Sequence, residues 1–442
     1  MKKALKTVAA SLCALMLLAG CASTSETSQV SQQPSAQENS SASEELKGDL
    51  VFWTQWSETE AQGEVIQKIA DDFMSENPGT NISIQWCGRD ISKTLKPALE
   101  GGETIDIFDY PVQYGDQLGS FCLDLTDYVG ETYESLGGKT LEDSVIPMLL
   151  STPKMQTGIE DKLVAVGYQP YMGLFMYNAK VMNELNLTPP STWEEFDTVC
   201  AAIKKAGYSP ITFDSAYALW MPGTYLAHIK GQDWVQQLVT DKTGEMWKDE
   251  AVVKMAKAFE DFAAKGYFDA NVAGNVYPAG QADVANEKAI IYYNGTWLPN
   301  EVADMAGDDF QWGAFNFPDV EEGANKYETE GIAGCGMLSV NSSCKNPKLA
   351  MEFLASFYTP ENDTQFVEKA GHISCIPDGE WADSMKDVKP AFESVSEPLK
   401  AGANLDTNVD LQPVITENFT KLAAGQITAD EFVNNMVAAA KQ

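Results

Sequence analysis

Short apolar runs and longer amphipathic stretches alternate from residue 50 to the end of the chain. Residues 50–53 (Leu-Val-Phe-Trp) form a run too short for a buried helix and read as a strand. Beyond a polar loop, Val65, Ile66, Ile69, Ala70 and Phe73 recur at three- and four-residue intervals, which places them on one helix face. Asn77-Pro78-Gly79 ends that helix, and Ile82, Ile84 and Trp86 alternate with polar residues as a second strand. Ser191 and Glu194 predict a capping box ahead of Phe196, Val199, Cys200 and Ile203, with Gly207 closing the helix before a strand over residues 211–213. Asn346-Pro347 predicts another helix start, followed by Ala350, Phe353, Leu354 and Phe357 on its apolar face. Thr428 and Glu431 cap a last helix bearing Phe432, Met436 and Val437. The pattern is that of an α/β protein. Its length beyond residue 48 exceeds one ordinary core, and two domains are expected.

The beginning of the chain follows a different rule. Lys2, Lys3 and Lys6 precede an apolar run over residues 8–18 that closes on Leu18-Ala19-Gly20-Cys21. The basic start, the short run and the small residues before the break read as a secretory signal, too short for a membrane span. The closing quartet resembles the bacterial lipobox, which implies cleavage after residue 20 and lipidation of Cys21. Residues 22–47 are mostly Ser, Thr, Gln, Glu and Ala with no apolar cluster, and are expected to form a disordered tether spanning roughly 30 Å. The expected location is the outer face of the cell membrane, held by lipid alone, and the long Ser-rich tether suits a Gram-positive surface.

The formal charge of −34 becomes −37 once the three leader lysines are removed, which makes nucleic acid and anionic lipid poor partners. There is one arginine, Arg89, and there are two histidines, His228 and His372. The usual equipment for clamping phosphate or carboxylate and for acid–base chemistry is therefore nearly absent. Ten tryptophans and sixteen tyrosines remain, side chains suited to stacking on the flat faces of neutral, hydroxyl-rich ligands. Beyond Cys21, the six cysteines Cys87, Cys122, Cys200, Cys335, Cys344 and Cys375 permit disulfides or buried free thiols, and their spacing does not choose. No metal or cofactor is expected: zinc spacings are missing. Asp269, Asn271 and Asn275 lack the closing glutamate of a calcium loop. The adjacent pairs Asp71-Asp72, Glu194-Glu195, Asp308-Asp309 and Glu321-Glu322 diverge on any regular element and cannot flank one bond.

Four stretches, in order, resemble the extracellular solute-binding proteins of sugar-importing ABC transporters, the maltose-binding-like group. The first is Leu50-Val51-Phe52-Trp53 through Phe73 to Asn77-Pro78-Gly79. The second runs from Leu163-Val164-Ala165-Val166-Gly167-Tyr168 through Gly173-Leu174-Phe175-Met176-Tyr177-Asn178 to Pro190-Ser191-Thr192-Trp193-Glu194-Glu195-Phe196. The third is Lys288-Ala289-Ile290-Ile291 with Asn294-Gly295-Thr296-Trp297. The last is Gly334-Cys335-Gly336-Met337-Leu338-Ser339-Val340 with Lys345-Asn346-Pro347 and Ala350-Met351-Glu352-Phe353-Leu354. The resemblance implies a two-lobed periplasmic-binding-protein-like fold of type II, with a hinge of chain crossovers and an interlobe cleft. Lobe 1 is expected over residues 49–168 plus 334–376 and lobe 2 over 172–330 plus 377–442. The crossings fall near residues 167–173, 331–336 and 376–377, each containing glycine or proline. It further implies a monomer that captures a neutral mono- or oligosaccharide and delivers it to membrane permease subunits, without being an enzyme.

Ligand contacts are expected from loops at strand ends facing the cleft. They are Trp56 and Glu58 after the first strand, Asp109 at the end of the strand begun by Ile105, Tyr168 at the hinge, and Asp214 with Trp220 beyond Phe213. Asn294 and Trp297 of the Asn-Gly-x-Trp turn complete the set, with Trp297 stacking on the sugar as the resemblance implies. The sequence departs from the family in lacking an arginine after Asp109, a sugar-clamping group, and the usual Asp-Gly-Lys turn at Asp161-Lys162-Leu163. Two alternatives stay open. The same fold could bind a polyamine or peptide, or the chain could be a secreted glycan-degrading enzyme using Glu58 and Asp109.

Overall fold

The computed structural model describes residues 46–111, 115–157, 159, 161–307 and 309–441. The leader, Cys21 and all but the end of the tether lie outside the described residues. Eleven strands occur among the described residues: β1 (Gly48–Thr54), β2 (Thr80–Trp86), β3 (Ile107–Pro111), β4 (Thr132–Tyr133), β5 (Lys139–Thr140), β6 (Val166–Asn178), β7 (Ser209–Thr212), β8 (Ala289–Gly295), β9 (Trp312–Phe315), β10 (Glu330–Val340) and β11 (Glu397–Leu399). Nine of them form one sheet in the order β2-β1-β3-β10-β6-β8-β7, with β11 added on β10 and β9 on β6, while β4 and β5 pair as a small hairpin.

The opening unit is the expected β-α-β. The helix Ala61–Glu76 buries Val65, Ile66, Ile69, Ala70 and Phe73, and β1 and β2 run parallel from Gly48 against Thr80 to Thr54 against Trp86. The cap expected at Ser191 sits one residue later. Thr192 accepts from the Glu195 amide, while the Glu195 carboxylate reaches back to the amide and hydroxyl of Ser191. The helix Pro347–Ser356 starts at Asn346, which accepts from the Leu349 amide, and the Thr428–Glu431 capping box is complete.

The α/β fold has two lobes, visible as two large hydrophobic cores that share two strands, and a third, smaller core holds Ile91, Phe108 and Met337. Val166 and Tyr168 of β6 pack with Phe52, Phe353 and Phe357, whereas Met172, Phe175 and Met176 of the same strand pack with Phe196, Tyr293 and Phe315. On β10 the division runs the other way, with Ile332 and Ala333 in the second core and Cys335, Leu338 and Val340 in the first. The glycines of these stretches lie within paired strands, not in loops.

The pairing is irregular where the cores change over. Tyr168 faces Gly336 and Tyr171 faces Gly334, so three steps on β6 oppose two on β10. Gln169 takes up the surplus with a φ of 52°, a left-handed conformation rare for residues other than glycine. Pro170, without an amide to donate, fits such a bulge. A methyl at Gly336 would lie 2.5 Å from the Tyr168 ring, and one at Gly334 would lie 2.3 Å from the Tyr171 ring. Both glycines are there because an aromatic ring covers them.

Two buried groups tie the fold to pH and crowding. His228, 4% exposed, stacks edge-on against Phe317 in the second core, and burial lowers its pKa from 6.5 to about 3. It is neutral when folded and takes a proton when unfolded, so its contribution favours folding above pH 6.5 and declines as pH falls toward 3. At pH 5 the loss is about 2 kcal/mol. In denaturant titrations at pH 7 and pH 5, His228→Phe should therefore gain on the parent protein by that amount at the lower pH; an unchanged difference would show that the imidazole is not held neutral. Gly336→Ala should cost about 1–3 kcal/mol in the same assay through overpacking against Tyr168.

Candidate ligand cavity at the hinge

The carbonyl end of β1, the bulge in β6 and the segment after β8 meet around a cavity of about 380 Å³. That volume is within the usual range for small-molecule sites. The first lobe lines it with Gln55, Trp56, Glu60, Gln62 and Arg89, and the second with Thr296, Trp297, Asn300 and Glu301. The floor is chain of the two shared strands, Gln169, Pro170 and Tyr171 of β6 with Cys335 and Gly336 of β10, and residues 370–373 complete the wall. The Asn300 side-chain amide donates to the Ala370 carbonyl across the two lobes at 3.2 Å.

Trp56 is held from several directions. Its indole N–H donates to the Tyr168 hydroxyl at 2.9 Å, its amide donates to Thr54 Oγ1 at 3.2 Å, and the Arg89 guanidinium lies 4.5 Å from its ring centroid. Arg89 in turn donates to the Gln55 carbonyl at 2.8 Å and pairs with Glu60 at 2.8 Å. Glu60 also accepts from the Ser57 amide at 2.7 Å. The turn packs onto Gly63, where a Cβ would lie 2.1 Å from the Ser57 carbonyl oxygen.

On the opposite wall Trp297 folds back over Gly295, where a Cβ would come within 2.4 Å of the indole. This close approach is the physical content of the Asn-Gly-x-Trp pattern. Trp297 packs at ring-centroid distances of 5.0 Å on Tyr171, 6.1 Å on Tyr217 and 5.9 Å on Trp220. Beside it, Glu301 accepts from the Gln281 side-chain amide at 2.5 Å, and burial raises its pKa against that bond. The Gln169 amide nitrogen and His372 Nδ1, both at the cavity, are buried without a partner among the described residues. Burial lowers His372 to about 3, so the ring is neutral, with Nε2 at 3.2 Å from the Gln62 amide.

Of the eight residues expected to touch ligand, Trp56 and Trp297 line the cavity. Asp109 and Tyr168 lie directly beneath Trp56. Asp109 is in the middle of β3, not at its end, because pairing with β10 continues through Tyr110 and Pro111, and it is fully buried. Its carboxylate accepts from Thr54 Oγ1 at 2.8 Å, from the Gln55 amide at 2.6 Å and from the Tyr168 hydroxyl. Asp214 is buried and occupied by the Gly280 amide at 2.7 Å and the Tyr292 hydroxyl at 2.9 Å. Asn294 is a buried β8 residue whose side-chain oxygen accepts from the Gly295 amide at 2.6 Å. Trp220 is buried behind Trp297, and Glu58 is exposed outside the cavity wall. Glu58 and Asp109 therefore do not face each other across the cavity. Gln62, Arg89, Gln169, Glu301 and His372 were not legible as cavity residues, and Glu60 was legible only as a member of the loop after the first strand. Arg89 carried one signal, as the chain's only arginine.

The six described cysteines are all free thiols. Cys335, in the cavity floor, is fully buried, and desolvation pushes its thiol up to about 12. With Cys87 and Cys122 each at about 11 for the same cause, native protein at pH 8 should label slowly with a thiol reagent. In denaturant without reductant, all six beyond Cys21 should react at once; a count of four or fewer would reveal a disulfide.

Comparison with known proteins gives a consistent result. The profile of the family described as bacterial extracellular solute-binding protein matches residues 56–364. The diacetylchitobiose binding protein NgcE of Streptomyces coelicolor is 27% identical over 284 residues, covering 63% of this chain and 59% of the relative. The multiple sugar-binding protein of Streptococcus mutans is 23% identical over 330 residues, covering 72% of this chain and 73% of the relative. The chain thus spans about three fifths of the first relative's length. Among solved structures, a chitin oligosaccharide binding protein superposes with a TM-score of 0.66 at 20% identity, over 89% of this chain and 98% of its own, a likeness of fold.

Proposed function

The chain belongs to the bacterial extracellular solute-binding proteins, and from that premise we propose that it captures a neutral mono- or oligosaccharide in the hinge cavity and delivers it to an ABC permease. The observation that carries the reading is the cavity itself, in which Trp56 and Trp297 stand on opposite sides among amides, the Arg89–Glu60 pair and the Glu301 carboxylate. Indole faces suit the apolar faces of sugar rings, while carboxylates and amides accept and donate to hydroxyls. Gln169 and His372 supply buried polar atoms that ligand hydroxyls would satisfy. Arg89 is already paired with Glu60, so the cavity carries no uncompensated positive charge to hold an anionic sugar. The relatives include proteins named for diacetylchitobiose and for multiple sugars, which supports this ligand class.

The lobes are divided as 49–168 plus 334–376 and 172–330 plus 377–442, closing about the strands that both cores share. A monomer exported by its leader and anchored through Cys21 would present the closed form to permease subunits in the same membrane. Among the described residues no helix is long and apolar enough to cross a membrane.

The test is a thermal-shift and calorimetry panel of diacetylchitobiose, longer chitin oligosaccharides, maltose and raffinose, with spermidine and a short peptide as competitors. A recognised sugar at a hundredfold excess over Kd should stabilise the protein by about 2.7 kcal/mol and be recovered unaltered. A response to spermidine or peptide alone would overturn the ligand class, and release of shortened sugar would point to an enzyme. Trp297→Ala should weaken the recognised sugar by about 2 kcal/mol, roughly thirtyfold, with an unchanged circular dichroism spectrum.

A further inference from the structure

We propose that Asp109 is a positioning residue for the ligand cavity: acting through Tyr168, its carboxylate fixes the Trp56 indole, and ligand affinity depends on its staying ionised. The inference rests on the cavity being the ligand site.

The geometry makes one carboxylate responsible for the whole wall. The Trp56 indole N–H donates to the Tyr168 hydroxyl at 2.9 Å, and that hydroxyl donates onward to Asp109 Oδ2. The same oxygen accepts from Thr54 Oγ1 at 2.8 Å, and Thr54 Oγ1 accepts from the Trp56 amide at 3.2 Å. Oδ1 accepts from the Gln55 amide at 2.6 Å, while the Gln55 carbonyl holds Arg89 over the indole face. Edge, face and backbone of Trp56 all trace back to Asp109, which is fully buried and has no direct path to a ligand.

An ionised carboxylate accepts only, and its three neighbours here all donate. A proton on Oδ2 must be donated to Tyr168 or to Thr54, the two hydroxyls that now donate to that oxygen, and whichever receives it loses the acceptor for its own proton. Both hydroxyls accept from Trp56, one from the indole and one from the amide, so protonation rearranges the bonds that set this side chain. Burial raises Asp109 to about 6 against the lowering effect of Tyr168, Gln55, Thr54 and Arg89, so the proton arrives within an accessible pH range. The other titratable or charged groups facing it are Tyr168 on β6 and Cys87 and Arg89 beyond β2. Burial holds the phenol well above its ordinary range and the thiol at about 11, and the guanidinium stays charged. Asp109 is thus the group among them that changes charge between pH 5 and 7.5.

The experiment has one arm that needs no ligand. In protein labelled with ¹⁵N at tryptophan, Trp56→Phe assigns the Trp56 indole resonance. That resonance should move with a midpoint near pH 6 in the parent protein and stay fixed in Asp109→Asn and in Tyr168→Phe. In the second arm, calorimetry with the tightest sugar of the panel should show affinity falling about tenfold from pH 7.5 to pH 5, the linkage limit one unit below the midpoint. Asp109→Asn and Tyr168→Phe should each start weaker at pH 7.5 and lose the pH dependence, and the double variant should be no weaker than either alone. Should Asp109→Asn fail to fold, Tyr168→Phe, which keeps the ring and the carboxylate, carries both arms. An indole resonance indifferent to pH, a pH profile surviving in the variants, or additive losses would overturn the proposal. A titrating indole in a protein that binds no sugar would leave the relay standing and defeat the sugar reading instead.

Discussion

Two antiparallel strands, β6 and β10, are covered by one hydrophobic core along half their length and by the other along the rest, and the remaining architecture follows from that sharing. The ladder between them is irregular where the cores change over. Here the irregularity is a surplus residue at Gln169 and Pro170, opposite glycines that accept the rings of Tyr168 and Tyr171. The cavity opens beside this bulge, with Gln169, Pro170, Tyr171, Cys335 and Gly336 among its lining residues. Its floor is hinge backbone, which means that whatever fills the cavity touches the elements on which the lobes turn.

The electrostatics obey the same economy. A buried carboxylate is tolerable only where donors surround it, and Asp109 and Asp214 are each surrounded by backbone amides and hydroxyls rather than cations. Both have their acceptor capacity engaged by the scaffold, beneath the wall. The cavity surface is left to tryptophans, amides, the Arg89–Glu60 pair and the Glu301 carboxylate, which accepts from Gln281. An acidic protein thereby presents a cavity whose one lining cation is already paired.

Much of the fold was legible in the alternation of short apolar runs with amphipathic stretches, because strand and helix periods depend only on local side-chain geometry. The β-α-β opening, the Asn346 and Thr428 caps and the order of elements could all be read that way. The cap near residue 191 was displaced by one because Ser191, Thr192, Glu194 and Glu195 offer two registers, and the segment is held in the second by backbone bonds to Asp319 and by the packing of Trp193 on Phe262 and its neighbours. In the cavity, Trp56 and Trp297 were legible because each occupies a strand-end segment of recognisable type. Asp109, Asp214 and Asn294 have the same residue chemistry as ligand contacts but point into the scaffold, and a period-two pattern does not say which face of a sheet meets the cleft. Arg89, Glu301 and His372 come from three separate segments, and nothing local marks them as neighbours.

The sequence by itself determined the α/β class and the positions of most elements. Those properties are sums over local choices: residue type, spacing and capping. Tertiary structure alone decided that Asp109 supports Trp56 through Tyr168 instead of facing a ligand, that Arg89 covers the indole, that His372 is neutral in the wall and that six cysteines stay as thiols. Each of these depends on which distant segments the shared strands bring within hydrogen-bonding distance, and on how deeply the resulting contact is buried. Neither quantity is written in any stretch of chain shorter than the fold.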